Sequence, residues 1–261
     1  MKNADEDGRR VAPFRMVISD LDGTLLGDED SGCQISKGTK EVLNQVISDS
    51  CPLVLATARG LNELPCLDGL PGPLFLVIYG GAVCLKRCAD GFQEVFAPQG
   101  LSKTQASAAV QAAEEEGTTV WLFQCGKIHV KVGRTGVKES DEWMRQHADP
   151  DSLFAHDSLQ NIIEEDRTLE VCSVASADPE GMARNLAKRL QQACVELEVL
   201  PLPPSTTVSM KSLGINKGFT IQRLCDHLVR KMSWLSVMGS TTLICSKSRA
   251  AASPWPMQAL H

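Results

Sequence analysis

Aromatic residues are scarce in this 261-residue chain, at 5%, and uninterrupted apolar runs are short. No stretch reaches the ~18 consecutive apolar residues that a membrane-spanning helix needs, which argues against a helical membrane protein. Met1 to Arg10 is charged and lacks the apolar run of a secretory signal, so the expected setting is reducing and cytoplasmic. Positive charge is also in short supply. Lys and Arg number 26 against 32 Asp and Glu, for a net charge of −6. A broad nucleic-acid footprint needs clustered cations, so no nucleic-acid partner is expected, whereas a small anionic ligand needs only a local positive site. The ten cysteines lack the paired short spacings of a zinc site, and Cys84 with Cys88 is the one close pair, read as strand packing. His129, His147, His156, His227 and His261 show no metal-ligand spacing and adjoin no nucleophile motif. Internal repeats and low-complexity tracts are absent as well.

What remains is the composition of a globular protein, 43% hydrophobic and 22% charged, long enough for one large domain or two modest ones. Phe14–Ser19, Pro52–Ala56 and Leu74–Tyr79 are short apolar runs of the kind that form buried strands. Between them, Ser36 can cap a helix with apolar positions Val42, Leu43, Val46 and Ile47, and Leu61–Leu67 reads as a second short helix. Strands alternating with helices predict right-handed crossovers and a doubly wound parallel, Rossmann-like sheet. After residue ~90 alternation replaces the buried runs. A linker strand is expected at Phe92–Phe96, helices at Thr104–Glu116, Glu139–His147 and Pro179–Ala193, and a hairpin of Thr119–Gln124 with Lys127–Gly133. Further strands are expected at Leu169–Ala175, Glu196–Leu200 and Thr207–Lys211. The pattern then returns to a helix, Phe219–Val229, and an apolar strand, Trp234–Met238. An α/β core over 14–90 and 213–239 with an inserted α+β cap over 91–212 follows, flanked by an expected disordered leader at 1–13 and an atypical, irregular tail at 240–261.

Three places carry chemistry. Ser19-Asp20-Leu21-Asp22-Gly23-Thr24 stands at the C-terminal end of the first strand, where open α/β sheets hold ligands. Two carboxylates one residue apart can share a site if the chain turns at Gly23, one attacking phosphorus while the other moves a proton. Thr57, in Ala56-Thr57-Ala58-Arg59-Gly60, ends the second strand and can donate its hydroxyl to a phosphoryl oxygen, with backbone N–H groups assisting. Lys217 starts a later helix beside Gly218 and can neutralise phosphoryl charge. Taken singly, these are also a solvated Asp-Gly turn, a helix-capping Thr and a surface Lys. Their order in the chain is what joins them.

Asp20 to Leu26 resembles the first motif of the haloacid dehalogenase-like superfamily, and the later segments resemble its Cof-type branch with a type IIB cap. The likeness runs from about Phe14 to Gly239. It implies that Asp20 is a nucleophile forming an aspartyl-phosphate, that Asp22 is the general acid/base, and that Thr57 and Lys217 are the second and third motifs. Mg²⁺ would be held by the Asp20 carboxylate and the Asp22 backbone carbonyl. Leu21, Ala58, Arg59 and Asn216 are the accompanying substrate-contacting positions. The implied activity is phosphatase action on a small phosphorylated metabolite, in the manner of sugar-phosphate and mannosyl-3-phosphoglycerate phosphatases, with the cap as a lid. A phosphomutase is the enzymatic alternative.

Two departures bear on that activity. Relatives carry Gly-Asp and a further Asp after the strand that follows Lys217, whereas this chain reads Gly239-Ser240-Thr241-Thr242-Leu243-Ile244-Cys245, with no Asp or Glu after Asp226. An inactive, truncated isoform that binds phosphorylated ligands or partners would explain this. So would a last segment read out of frame or spliced differently: Thr242 to Cys245 encoded ACA CTG ATA TGC contains ACT GAT ATG, Thr-Asp-Met, in a shifted frame. Transcript sequencing that finds no frame encoding an acidic motif there rejects the second explanation. The other departure is Tyr79-Gly80-Gly81-Ala82, where relatives commonly place Asn before Gly-Ala.

Overall fold

In a computed structural model of the chain, the described residues are 16–26, 34–48, 51–70, 72–134, 150–163, 167–174, 178–202 and 206–238. The expected leader, the expected helix Glu139–His147 and the expected tail at 240–261 lie outside them. By its internal contacts the chain divides after Arg223, and of the second unit the described part is the helical stretch from Leu224 to Met238.

The first sheet has the order β1-β2-β3-β4-β5. Strand β1 (Val17–Asp20) pairs in parallel with β2 (Leu53–Ala56), and β2 with β3 (Leu74–Ile78). Every residue of β2 and β3 is buried, as expected for strands covered on both faces. Helix α1 (Lys37–Ser48) makes the crossover from β1 to β2; Ser36 Oγ accepts from Thr39 N at 3.1 Å, and Leu43 and Ile47 face the core.

Here the sheet departs from an all-parallel reading. The chain reverses at Gly80-Gly81, and β4 (Val83–Cys88) and β5 (Gly91–Glu94) continue it antiparallel. The stretch expected as a linker strand thus belongs to the core sheet. Leu61–Leu67 forms two single 3₁₀ turns, Leu61–Glu63 and Pro65–Leu67, because Pro65 has no N–H with which to continue a helix.

The second sheet has the order β10-β11-β9-β6-β7-β8. It comprises β6 (Thr119–Gln124), β7 (Lys127–Lys131), β8 (Leu153–Ala155), β9 (Thr168–Val174), β10 (Glu198–Leu202) and β11 (Thr207–Lys211). Pairing is antiparallel throughout except between β7 and β8. Pro201 is tolerated in β10 because that strand lies at the sheet's edge.

Helices α2 (Lys103–Glu115) and α3 (Pro179–Gln192) cover one face. Ser102 and Gln105 close a reciprocal cap on α2, and Asp178 caps α3 through Gly181 N at 2.7 Å. Alternation along the strands divides the sheet's two faces. Val120, Leu122, Val171, Val208 and Met210 meet Ala106, Ala109, Val110, Leu186 and Leu190 of the helices. Trp121, Phe123, Val130, Cys172 and Val174 point the other way and join the cluster of Leu21, Leu53, Leu55 and Leu76 in the first sheet. The architecture is therefore a Rossmann-like core with a cap laid against it.

The last described element is α4 (Lys217–Met238). The strand expected at Trp234–Met238 is helical instead, since no Gly or Pro interrupts the sequence between Phe219 and Met238 and good helix formers such as Lys231 and Met232 carry the helix on. Among the described residues no helix is long and apolar enough to cross a membrane.

Candidate active site

Register brings the ends of the three parallel strands level. Asp20 lies beside Ala56 and Ala56 beside Val77, so Leu21, Thr57 and, one residue beyond Ile78, Tyr79 open from one edge of the sheet. After Asp20 the chain folds back at once: Leu21 O accepts from the N–H groups of Thr24, Leu25 and Leu26 at 3.2, 2.9 and 2.9 Å. Gly23 makes this possible at φ 68°, a left-handed conformation that a side chain would strain.

The turn places both carboxylates at the sheet's mouth. Asp20 Oδ1 accepts from Leu21 N at 2.7 Å, and Oδ2 accepts from Lys217 Nζ at 2.5 Å, across 197 positions of sequence. Asp20 and Lys217 are 41% and 37% exposed, open enough for a ligand to reach them. Thr57 is 1% exposed; its Oγ1 donates to Asp22 Oδ2 at 3.4 Å and accepts from Arg59 N at 3.1 Å. Asp20 is thus paired with Lys217 and Asp22 with Thr57, and Leu21 in the turn joins the two carboxylates.

The remaining expected contacts are placed differently from one another. The Leu21 side chain is wholly buried in the core and only its N–H faces the Asp20 carboxylate. Ala58 is exposed at the tip of its loop. Arg59 grips Asp22: Nη2 lies 2.7 Å from Oδ1, and Nε lies 3.0 and 3.2 Å from the two oxygens. Asn216 caps α4, its Oδ1 accepting from Phe219 N at 2.9 Å.

Several residues that shape the site have no strong signal in the sequence. Gly81 stands at φ 112°, and a Cβ there would collide with the backbone of Asn216 and Lys217. Thr220 Oγ1 donates to Gly81 O at 2.6 Å, so the Gly80-Gly81 turn holds the start of α4, and with it Lys217. Two adjacent glycines after a buried strand were the only hint. Glu63 accepts from Gly60 N at 2.5 Å, and burial pushes its carboxyl above the usual carboxylate range, with the Arg59 charge and the Gly60 bond working against that rise. Tyr79, at φ 51°, ties core to cap: its hydroxyl donates to Gln124 O and accepts from Gly126 N, both at 3.3 Å, and its ring meets Phe123 edge-on at 6.5 Å.

As a metal site the constellation is spare. Among the described residues no three His, Cys, Asp or Glu side chains gather. The Asp20 carboxylate and the Asp22 carbonyl are nonetheless hard oxygen donors, and Mg²⁺ takes one or two carboxylates and fills its octahedron with water and phosphate. The residues present fit Mg²⁺ on that basis. A cavity of about 550 Å³, lined by Leu190, Cys194, Leu197, Val199 and Leu213 among others, lies at the outer edge of the cap and includes none of these groups.

The sequence profile of haloacid dehalogenase-like hydrolases matches residues 17–241, nearly the whole chain. The chain belongs to the haloacid dehalogenase-like hydrolases. Solved structures of this family share its fold. A haloacid dehalogenase-like hydrolase from Bacteroides thetaiotaomicron superposes with a TM-score of 0.65 at 16% identity, over 82% of this chain and 77% of that one. The haloacid dehalogenase subclass IIB sugar phosphatase BT4131 superposes with a TM-score of 0.62 at 16% identity, over 82% and 76%. The Thermotoga maritima protein TM0651 gives 0.64 at 17% identity, over 85% and 76%. No curated protein matches the sequence significantly.

Proposed function

We propose that this haloacid dehalogenase-like hydrolase cleaves a small phosphorylated metabolite, a sugar phosphate by class, through an aspartyl-phosphate on Asp20. The observation that carries the proposal is the 2.5 Å contact between Lys217 and Asp20, two groups 197 residues apart, beside Thr57 and Asp22. A subclass IIB sugar phosphatase with the same fold supports the substrate class.

In the first step an Asp20 oxygen attacks phosphorus, the P–O bond to the leaving group breaks, and Asp22 gives its proton to the departing oxygen. In the second, water attacks phosphorus, Asp22 takes the water's proton, and the P–O bond to Asp20 breaks to release orthophosphate. Lys217 offsets the charge of the phosphoryl oxygens and lessens their repulsion from Asp20, and the Thr57 hydroxyl, once turned away from Asp22 Oδ2, donates to one of them. Mg²⁺ bound at Asp20 would add Lewis-acid neutralisation of the same oxygens. Arg59 occupies both Asp22 oxygens in this structure, so proton transfer requires its guanidinium to yield, and a phosphoryl oxygen is the natural alternative partner.

The absence of acids after Asp226 favours slow turnover, because a metal held by so few ligands is held weakly. It also sustains the second reading, a phosphate-ester binder that does not turn over. Hydrolysis of p-nitrophenyl phosphate with Mg²⁺ decides between them. Turnover that falls on the order of 10³-fold or more in Asp20→Asn is expected of the enzyme, since a covalent nucleophile is lost. Turnover indifferent to that substitution removes Asp20 from the mechanism. Isomerisation of a hexose phosphate without orthophosphate release would identify a mutase.

A further inference from the structure

The face that the cap turns toward the core is half apolar and half polar. Val208 and Met210 of β11 pack on α2 and α3, which puts Ser209 and Lys211 on the opposite side. Register sets Ser209 beside Cys172 and Lys211 beside Glu170 on β9, and Glu198 beside Lys211 on β10. Trp121, across from Cys172, begins the apolar half.

The polar half reaches the catalytic loops. A Cβ on Gly80 would lie 3.5 Å from Lys211 Nζ. Gly80 N donates to Thr57 O at 3.2 Å, and the adjoining Gly81 abuts Asn216 and Lys217. Glu170 lies within electrostatic reach of Glu63, as Arg59 and Asp22 do. Lys211 therefore stands over the third strand's end, in space left by the missing side chain at position 80.

The bonding capacity left in this strip identifies what it can hold. Glu170 Oε1 accepts from Ser209 Oγ and, at 3.4 Å, from Cys172 Sγ, while Oε2 receives no hydrogen bond from any described residue. Lys211 Nζ has three donors and is paired with Glu198 Oε2 at 3.4 Å. A hydroxyl group, donor and acceptor at once, satisfies a neighbouring carboxylate and ammonium together. Two carboxylates, Glu170 and Glu198, against one ammonium leave the strip negative, which disfavours a second anionic group on the ligand.

The geometry points to Lys211 and Glu170 as the residues that select the leaving group, a neutral and multiply hydroxylated one. Its hydroxyl donates to Glu170 Oε2 and accepts from Lys211 Nζ while the phosphoryl group rests at Asp20. This deepens the phosphatase reading and rests on it.

Calorimetric titration of the full chain with inorganic phosphate, phenyl phosphate and sorbitol 6-phosphate tests the assignment, with no Mg²⁺ added so that no ester turns over. The native chain should hold sorbitol 6-phosphate about tenfold more tightly than phenyl phosphate, the effect of one charge-assisted hydrogen bond. Lys211→Met and Glu170→Gln should each remove most of that preference and leave the other two affinities within about twofold. A preference unchanged in both variants overturns the assignment. So does parallel loss of inorganic phosphate in Lys211→Met, which would make that lysine a support of the fold. A native chain that binds no phosphate at all counts against the site at Asp20 itself. One that binds phosphate but does not favour the polyol ester overturns only the selection.

Discussion

Lys217 and Asp20 are each more than a third exposed, and ion pairs of that kind contribute about 1 kcal/mol or less to folding. Stability therefore gives little reason for the contact, whereas the phosphatase proposed above gives it a use in offsetting phosphoryl charge. Glu63 is the reverse case, a buried carboxyl that contacts no reacting atom. Its carboxyl is pushed up by burial, so the folded state holds a proton that the unfolded chain releases sooner. That stabilisation is complete below the ordinary value of 4.5 and is lost as pH rises through the higher folded value. Glu63→Gln, which keeps an oxygen to accept from Gly60 N, should flatten this dependence. Melting temperature measured from pH 4 to 8 should fall less steeply in the variant than in the native chain, and identical slopes would remove Glu63 from the account. Nothing in the sequence marked Glu63, because its meaning lies in burial. Asp20, Asp22, Thr57 and Lys217 were legible because each stands at a strand end or helix start in a set order. Arg59 and Asn216 were legible as neighbours of the site, but the partners they take, Asp22 and the α4 backbone, depend on turns that sequence does not specify.

At the scale of elements, β2 and β3 could be read directly, since only strands buried on both faces are apolar at every position. The antiparallel return through β4 could not, because its direction is set by the Gly80-Gly81 turn and not by any periodicity. The end of α4 is ambiguous in sequence for a related reason: an apolar stretch such as Trp234–Met238 suits strand or helix alike, and only the absence of a breaker separates them. The Gly80-Gly81 turn also fixes Lys217, which makes it a point of leverage. Gly81→Ala has to move the Asn216 and Lys217 backbone and adopt a left-handed φ, at a cost of about 1–3 kcal/mol. Urea unfolding should show a lower midpoint with an unchanged slope, and inorganic phosphate should bind more weakly than to the native chain. Native-like phosphate affinity would mean that the turn does not set the position of Lys217.

On the scale of the whole molecule, one cluster of apolar side chains runs from the first sheet into the cap, so core and cap are covered by a shared interface. The division of the chain into core and inserted cap follows from sequence, since the change from buried runs to alternation near residue 90 is a change in how many faces each strand hides. How the two meet does not follow, because the meeting depends on a residue in an unusual backbone conformation. Tyr79 supplies it, with a hydroxyl that bonds both ends of the β6–β7 turn. Removing that oxygen in Tyr79→Phe keeps the ring against Phe123 and deletes two hydrogen bonds, about 1 kcal/mol each. Amide exchange at Gly126 should quicken by roughly ten- to thirtyfold, and an unaltered rate would show that the turn is held elsewhere. If it quickens, one phenolic oxygen, 59 positions along the chain from Asp20, is the clasp that fastens the β6–β7 turn to the end of the third core strand.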